Sequence, residues 1–337
     1  MAQLPSLAQA CALDPRARDA LLRSEGRIVV VGAGGWIGRA LLRGLHEALG
    51  AESFAARVAA FGSSARDVDL GDGLSVAQRP LGELHQLPAA PTALFHLAFL
   101  TMDKVGGMPR DEYIAANRKL SQAVLEALAP IGADRLFVAS SGAAAFADAP
   151  DANEALALYG RLKRDDEDLF AAWAEADPAR RAVVTRIYSL SGPFINKHEV
   201  YALASFINDA LAGRTITVRA PIRVVRSYVA IRELMSLALV QLLSPEGPRV
   251  RRYDTGGVAS ELEEVASAVA GVLGGSVERA AITGDQTNLY AGDQDVYSGL
   301  LSEAGIAPVA LEQQILETAT SLASEGTIFA DTGAKAG

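Results

Sequence analysis

Tyr159 and Lys163 stand four residues apart in the stretch Tyr159-Gly160-Arg161-Leu162-Lys163. On a helix such a pair shares one face. A phenol titrates near pH 10, too high for useful acid–base work at neutrality. A neighbouring ammonium favours phenolate and pulls that value down. Tyr159 is therefore a candidate proton donor and acceptor, and Lys163 the group that tunes it. A solvated helix face carries the same spacing, so the surroundings decide. Shortly before lies Val138-Ala139-Ser140-Ser141-Gly142, a strand-like run ending in two hydroxyls, which at minimum could cap backbone groups.

A second chemical signal sits far upstream. Gly32-Ala33-Gly34-Gly35-Trp36-Ile37-Gly38 follows the β-branched run Arg27–Val31 and opens a helical pattern. Glycines at 32, 35 and 38 let the backbone turn tightly, approach a pyrophosphate and pack the helix against the strand. The first N–H groups of that helix, around Trp36 and Ile37, would face the anion. A glycine cluster alone can be an ordinary turn, but here it has the strand–turn–helix setting that dinucleotide binding requires. An acid at the end of the second strand would select NAD. That end reads Phe61-Gly62-Ser63-Ser64-Ala65-Arg66, so Ser63, Ser64 and Arg66 favour the 2′-phosphate of NADP, with NAD as the alternative.

These residues need a scaffold. Short apolar runs at Arg27–Val31, Arg57–Phe61, Ala93–Ala98, Asp134–Ser140 and Ala182–Ile187 alternate with helical patterns at Trp36–Leu49, Tyr113–Ala129 and Ala155–Ala174. Strands alternating with helices predict βαβ units and a doubly wound parallel sheet, an α/β Rossmann fold. After Gly192-Pro193 the rhythm breaks. Helical stretches at Tyr201–Ala212, Ile231–Leu243, Leu262–Leu273 and Leu311–Ala323 outnumber short strands such as Thr215–Val218. The expected organisation is an N-terminal helical extension (1–26), a dinucleotide-binding domain (27–192), a smaller mixed α/β substrate-capping region with some return to the sheet (193–330), and a fraying tail (331–337).

Composition narrows the classes. A net charge of -9 argues against a nucleic-acid binder, which would need a basic stripe to neutralise phosphates. Cys11 is the only cysteine, so no intrachain disulfide can form and a cysteine-based zinc site is not expected. His46, His85 and His198 lack ligand spacing, so no metal is expected. No long uncharged apolar run predicts a membrane span, and Met1–Gly26 lacks a signal-peptide pattern. A soluble, cytoplasmic protein is the expectation.

The spacing Gly32-x-x-Gly35-x-x-Gly38, with Gly34 added, and the Tyr159-x-x-x-Lys163 pair resemble the short-chain dehydrogenase/reductase family, particularly its extended, sugar-nucleotide-modifying branch. His96-Leu97-Ala98 resembles that branch's H-x-A, and Asn117 its helix asparagine. Arg186–Pro193 resembles R-x-x-N-x-x-G-P, with Ser189 in place of the asparagine, and Val225–Val229 resembles R-D-F-V.

The resemblance implies that Ser141 polarises the reacting oxygen, with Ser140 as its structural neighbour. It implies cofactor contacts at Leu97, Ala98, Asn117, Ser140, Tyr159, Lys163 and Tyr188, with Lys163 holding the nicotinamide ribose. Ser189 and Arg226 would meet the substrate, Arg226 through its fork of donors on a diphosphate. The family places an aromatic four residues after the hydroxyl; here Phe146 is five after Ser141, through either a one-residue insertion or Gly142 holding the hydroxyl's slot. Dehydrating relatives carry an acid just beyond this hydroxyl, where Gly142-Ala143-Ala144 offers none. The expected activity is NADP- or NAD-dependent oxidoreduction of a nucleotide-linked sugar, first a 4-ketoreduction. The alternatives are a nucleotide-sugar epimerase with tightly bound NAD, reduction of a non-nucleotide ketone, and a non-catalytic dinucleotide sensor of the same fold. Pairing through the helices near Asn117 and Tyr159 implies a homodimer.

Overall fold

The computed structural model describes residues 3–149 and 153–324; the tail expected to fray, 331–337, lies outside them. Two short helices, α1 (Leu7–Ala10) and α2 (Pro15–Arg23), precede strand β1 (Arg27–Val31). Helices α3 (Trp36–Leu49) and α4 (Ala51–Arg57) lead to β2 (Val58–Gly62), after which β3 (Arg66–Asp69) and β4 (Ser75–Pro80) form an antiparallel pair. Strand β5 (Thr92–His96), helix α5 (Arg110–Leu128), strand β6 (Ala133–Ser141), helix α6 (Glu154–Glu175) and strand β7 (Arg181–Ile187) continue the alternation. Then come β8 (Ser189–Ser191), α7 (Ala202–Leu211), β9 (Ile216–Val218), β10 (Arg223–Ala230), α8 (Ile231–Leu243) and β11 (Val250–Asp254). The chain closes with β12 (Ala259–Glu261), α9 (Leu262–Leu273), β13 (Val277–Arg279), β14 (Thr287–Tyr290), α10 (Gln294–Ala304) and α11 (Leu311–Ser324).

Eight strands form one sheet in the order β11-β7-β6-β5-β1-β2-β4-β3, parallel throughout except at β3. This is the doubly wound α/β fold. The central strands are buried on both faces, which is why they read as unbroken apolar runs. Side chains of a strand alternate between faces. Val29, Val31, Leu94 and Leu136 pack under Val124 of α5 and Phe170 of α6, while Ile28, Val30, Phe95 and Phe137 pack with Leu41 and Leu45 of α3 and Leu239 of α8.

Two expectations need correction. The pair β3–β4 is absent from the sequence reading, because its short, largely exposed strands lack an apolar run. Among the described residues after Pro193, six strands outnumber five helices, the reverse of what periodicity suggested. Most of those strands are three to five residues long and exist through pairing: β10 joins β8, β12 and β14, and β11 extends the main sheet beside β7. The N-terminal segment forms two helices. Ala17 and Leu21 of α2 are fully buried, and the Asp14 N–H donates to Ser236 Oγ on α8 at 2.9 Å.

Candidate active site

Strand β1 ends at Val31, and the turn that follows works only with glycine. Gly32 has φ +96°, and a Cβ there would lie 2.7 Å from the Ala98 nitrogen. A Cβ on Gly38 would lie 2.7 Å from the Ala33 carbonyl oxygen, so helix α3 packs on the loop through bare backbone. The Gly34 N–H donates to Gln78 Oε1 at 3.1 Å, and the same side chain donates to the Ser64 carbonyl at 2.8 Å. Gln78 thus ties the glycine loop to the segment after β2. The first helical hydrogen bond of α3 runs from Arg39 to Gly35, which leaves the N–H groups of Trp36, Ile37 and Gly38 ahead of it. This cradle, closed to a Cβ at Gly32 and Gly38 and aimed by a helix start, fits a dinucleotide pyrophosphate. The Arg66 guanidinium lies across Gly34 and pairs with no side chain among the described residues.

A cavity of about 1110 Å³ begins at Trp36 and Ile37 and runs along the carboxyl ends of the strands. Its walls include Leu97 after β5, Ser140 and Ser141 at the end of β6, Tyr188 and Ser189 after β7, and Tyr159 and Lys163 on α6. Ligands of doubly wound sheets sit in this crevice, where the chain leaves the central strands in opposite directions. Ser141, 9% exposed, accepts from the Ala143 N–H at 3.2 Å and stands beside Tyr159. Gly142 is required by Tyr188, whose ring occupies the space of a Cβ. No acid could replace it there.

The electrostatics differ from the expected tuning. Burial pushes the Tyr159 phenol well above its ordinary value, and the adjacent Ser141 hydroxyl only partly counters this. Lys163 is spent elsewhere in the protein alone: its Nζ donates to the Ala139 carbonyl at 2.8 Å and lies 3.7 Å from the Phe99 ring centroid. Burial pulls its ammonium down to about 8, against the attraction of Asp166 and Glu167. Glu167, almost fully buried, receives two 2.8 Å bonds from Arg186 and one from Ser140 at 2.5 Å. That anchor fixes the ends of β6 and β7 together. Behind Lys163, His96 is fully buried with its ring edge-on to Phe170. Burial pulls the imidazole below its ordinary value, against the attraction of Asp166, whose Oδ2 lies 3.7 Å from Nε2.

The site residues read from sequence divide into two groups. Trp36, Ile37, Leu97, Ser140, Ser141, Tyr159, Lys163, Tyr188, Ser189 and Arg226 line the one cavity. Ala98 packs against Gly32, and Ser63 and Ser64 lie exposed beyond β2. Asn117 is buried away from the cavity: its Oδ1 accepts from the Leu100 N–H at 2.8 Å and so positions the loop after β5. Arg226 gives three donor contacts of 2.9–3.0 Å to Val225 and Asn288, leaving less of its fork for a diphosphate than expected.

Sequence reasoning missed Tyr290. Its hydroxyl lies 3.4 Å from Ser141 Oγ, and its ring packs on Tyr188 at 4.8 Å and stacks on Phe146 at 5.9 Å. It also missed Lys197, which bonds Thr101 and Asp103 and holds the Asp103 carboxyl below its usual range. Neither residue sits in a motif, and each is brought in by folding. Among the described residues no group of three or more His, Cys, Asp or Glu could hold a metal, and no helix is long and apolar enough to cross a membrane.

The sequence model of the NAD dependent epimerase/dehydratase family matches residues 28–256. No curated protein matches the chain. Among solved structures, a UDP-N-acetylglucosamine 4-epimerase from Methanobrevibacter ruminantium in complex with UDP-N-acetylmuramic acid is similar at TM-score 0.69 and 16% identity, over 90% of this chain and 99% of that one. MoeE5 in complex with UDP-glucuronic acid and NAD is similar at 0.65 and 20% identity, over 89% and 100%. A UDP-galactose 4-epimerase is similar at 0.62 and 20% identity, over 89% and 99%. At these identities the likeness establishes a shared fold.

Proposed function

Because the chain belongs to the NAD dependent epimerase/dehydratase family, we propose that it inverts a carbon of a nucleotide-linked sugar by transient oxidation and reduction. The observation that carries this reading is the convergence of Ser141, Tyr159 and Lys163 on one cavity that begins at the glycine cradle. Residues 27–192 hold the cofactor in this reading, and residues from 193 onward the substrate. A bound nicotinamide dinucleotide supplies the reversible hydride exchange. Tyr159 takes the proton from the sugar hydroxyl and returns it. Ser141 donates to the reacting oxygen and keeps it beside Tyr159. Lys163, released from Ala139, holds the ribose and stabilises the phenolate that the buried site otherwise disfavours. Nothing at Gly142-Ala143-Ala144 can protonate a leaving hydroxyl, so the sugar keeps its oxygens.

Solved structures similar to this one are complexes of MoeE5 with NAD and UDP-glucuronic acid or UDP-glucose, which makes UDP-sugars the first substrates to try. Incubation of the protein with NAD and UDP-glucose, UDP-galactose, or their N-acetyl and uronic acid counterparts, followed by chromatography, tests the reading. The expected result is interconversion of one pair without net change in cofactor absorbance. Failure with every pair, alongside normal NAD binding, would overturn it. A second reading, NADPH-dependent reduction of a 4-keto sugar, rests on Arg66 and on β2 ending at Gly62 with no acid beside it. Stoichiometric loss of NADPH absorbance would identify that activity.

A further inference from the structure

A second cavity, of about 600 Å³, lies at the other end of the sheet. It is walled by Ile28 at the start of β1, Thr92 at the start of β5 and Asp134 in β6, and closed by α2 and the end of α8. Four arginines, Arg16, Arg23, Arg27 and Arg135, are among its lining residues, against one acidic residue, Asp134. In a chain of net charge -9 this reverses the prevailing sign in one place.

The four arginines differ in how far the fold uses them. Arg27 is committed: it bonds Thr92 Oγ1 at 3.1 and 2.9 Å and the carbonyls of Pro88 and Ile131 at 2.9 and 2.8 Å. Arg135 has only long contacts, 3.7 Å to Asp134 and 3.5 Å to the Ser244 carbonyl. The exposed side chains of Arg16 and Arg23 form no hydrogen bond or ion pair among the described residues. A cation at the C-terminal end of a helix is favoured by the unpaired backbone carbonyls there. That accounts for Arg23 at the end of α2, and for Arg16 beside Gly305 at the end of α10. It does not account for four like charges gathered on one cavity, where each repels the others.

We propose that this cavity is a binding site for a compact polyanion bearing a diphosphate group, distinct from the cofactor and substrate cavity. Guanidinium forks match phosphate oxygens in pairs, and the volume suits a small ligand. The two cavities lie at opposite ends of β1, whose five residues span roughly 17 Å at about 3.3 Å each. Both can therefore be filled at once.

The test is calorimetric titration of pyrophosphate into the full chain with NAD present at saturation, which keeps the probe off the glycine cradle. Saturable binding is expected, weakening at least tenfold in the double variant Arg16→Ala/Arg23→Ala and severalfold in Arg135→Ala. Arg16 and Arg23 are exposed, so circular dichroism and NAD affinity of the double variant should match the parent. A parallel titration with ADP separates the two sources of this chemistry: binding as tight as pyrophosphate identifies a nucleotide, and much weaker binding identifies the free anion. Absence of saturable binding, or unchanged pyrophosphate affinity in the double variant, overturns the proposal.

Discussion

Burial opposes the charged form of both Tyr159 and Lys163, raising the phenol and drawing the ammonium down to about 8. A buried phenol does no acid–base work until an extra positive charge or hydrogen bond is directed at it, which is the reason a lysine is placed one turn away. Replacing Tyr159 by Phe should cut turnover by about 10²–10⁴-fold, the usual worth of a positioned proton donor, while cofactor affinity in a fluorescence titration stays unchanged. Turnover that survives the change removes Tyr159 from the mechanism. Lys163 is cationic below its pKa and neutral above it, so kcat/KM should decline as pH rises through about 8. The Asp166 carboxylate helps to keep that ammonium charged. Asp166→Asn should therefore move the alkaline limb to lower pH, and a pH–rate profile with an unmoved limb would detach Asp166 from this role.

Element geometry decides whether those groups meet a cofactor. Helix α3 starts one turn above the end of β1 because Gly32 and Gly38 let backbone touch backbone. Gly38→Ala forces a methyl against the Ala33 carbonyl, which is part of the rigid loop and has nowhere to move. The expected outcome is at least a tenfold loss of NAD affinity by titration, together with a lower Tm; overpacking of this kind costs roughly 1–3 kcal/mol. Gly160 obeys the same logic on α6, where a Cβ would lie 2.9 Å from the Ala143 carbonyl carbon. The helix that carries Tyr159 and Lys163 therefore sits close against the turn after Ser141.

The fold as a whole holds a buried carboxylate far from the chemistry. Glu233 of α8 accepts the Val309 N–H at 2.5 Å, and burial pushes its carboxyl up from an ordinary 4.5 to about 7. In the folded state this group keeps its proton over a range where the unfolded chain has lost it. Its contribution to stability is therefore complete below pH 4.5 and declines as pH rises to about 7. The slope approaches about 1.4 kcal/mol per pH unit in that window and vanishes above it. Urea unfolding of the parent and of Glu233→Gln at several pH values checks this. The difference in stability between the two should change from pH 5 to pH 7, and parallel curves would show that Glu233 titrates normally.

The strand–glycine–helix start, the Tyr159–Lys163 face and the serines ending β6 were legible in the amino-acid order, because each depends on neighbours a few residues away. So was the alternation that builds the central sheet, since strands buried on both faces are apolar throughout. The strands β3, β4 and β11 were not, because their pairing partners, not their own residues, make them strands. Asn117 holds Leu100 in place, a contact invisible without the path of the loop. Tyr290 reaches Ser141 across 149 residues of chain, and four arginines from three separate segments share one cavity. Contacts of that range follow from how helices and strands close around a common core, and no local pattern encodes them.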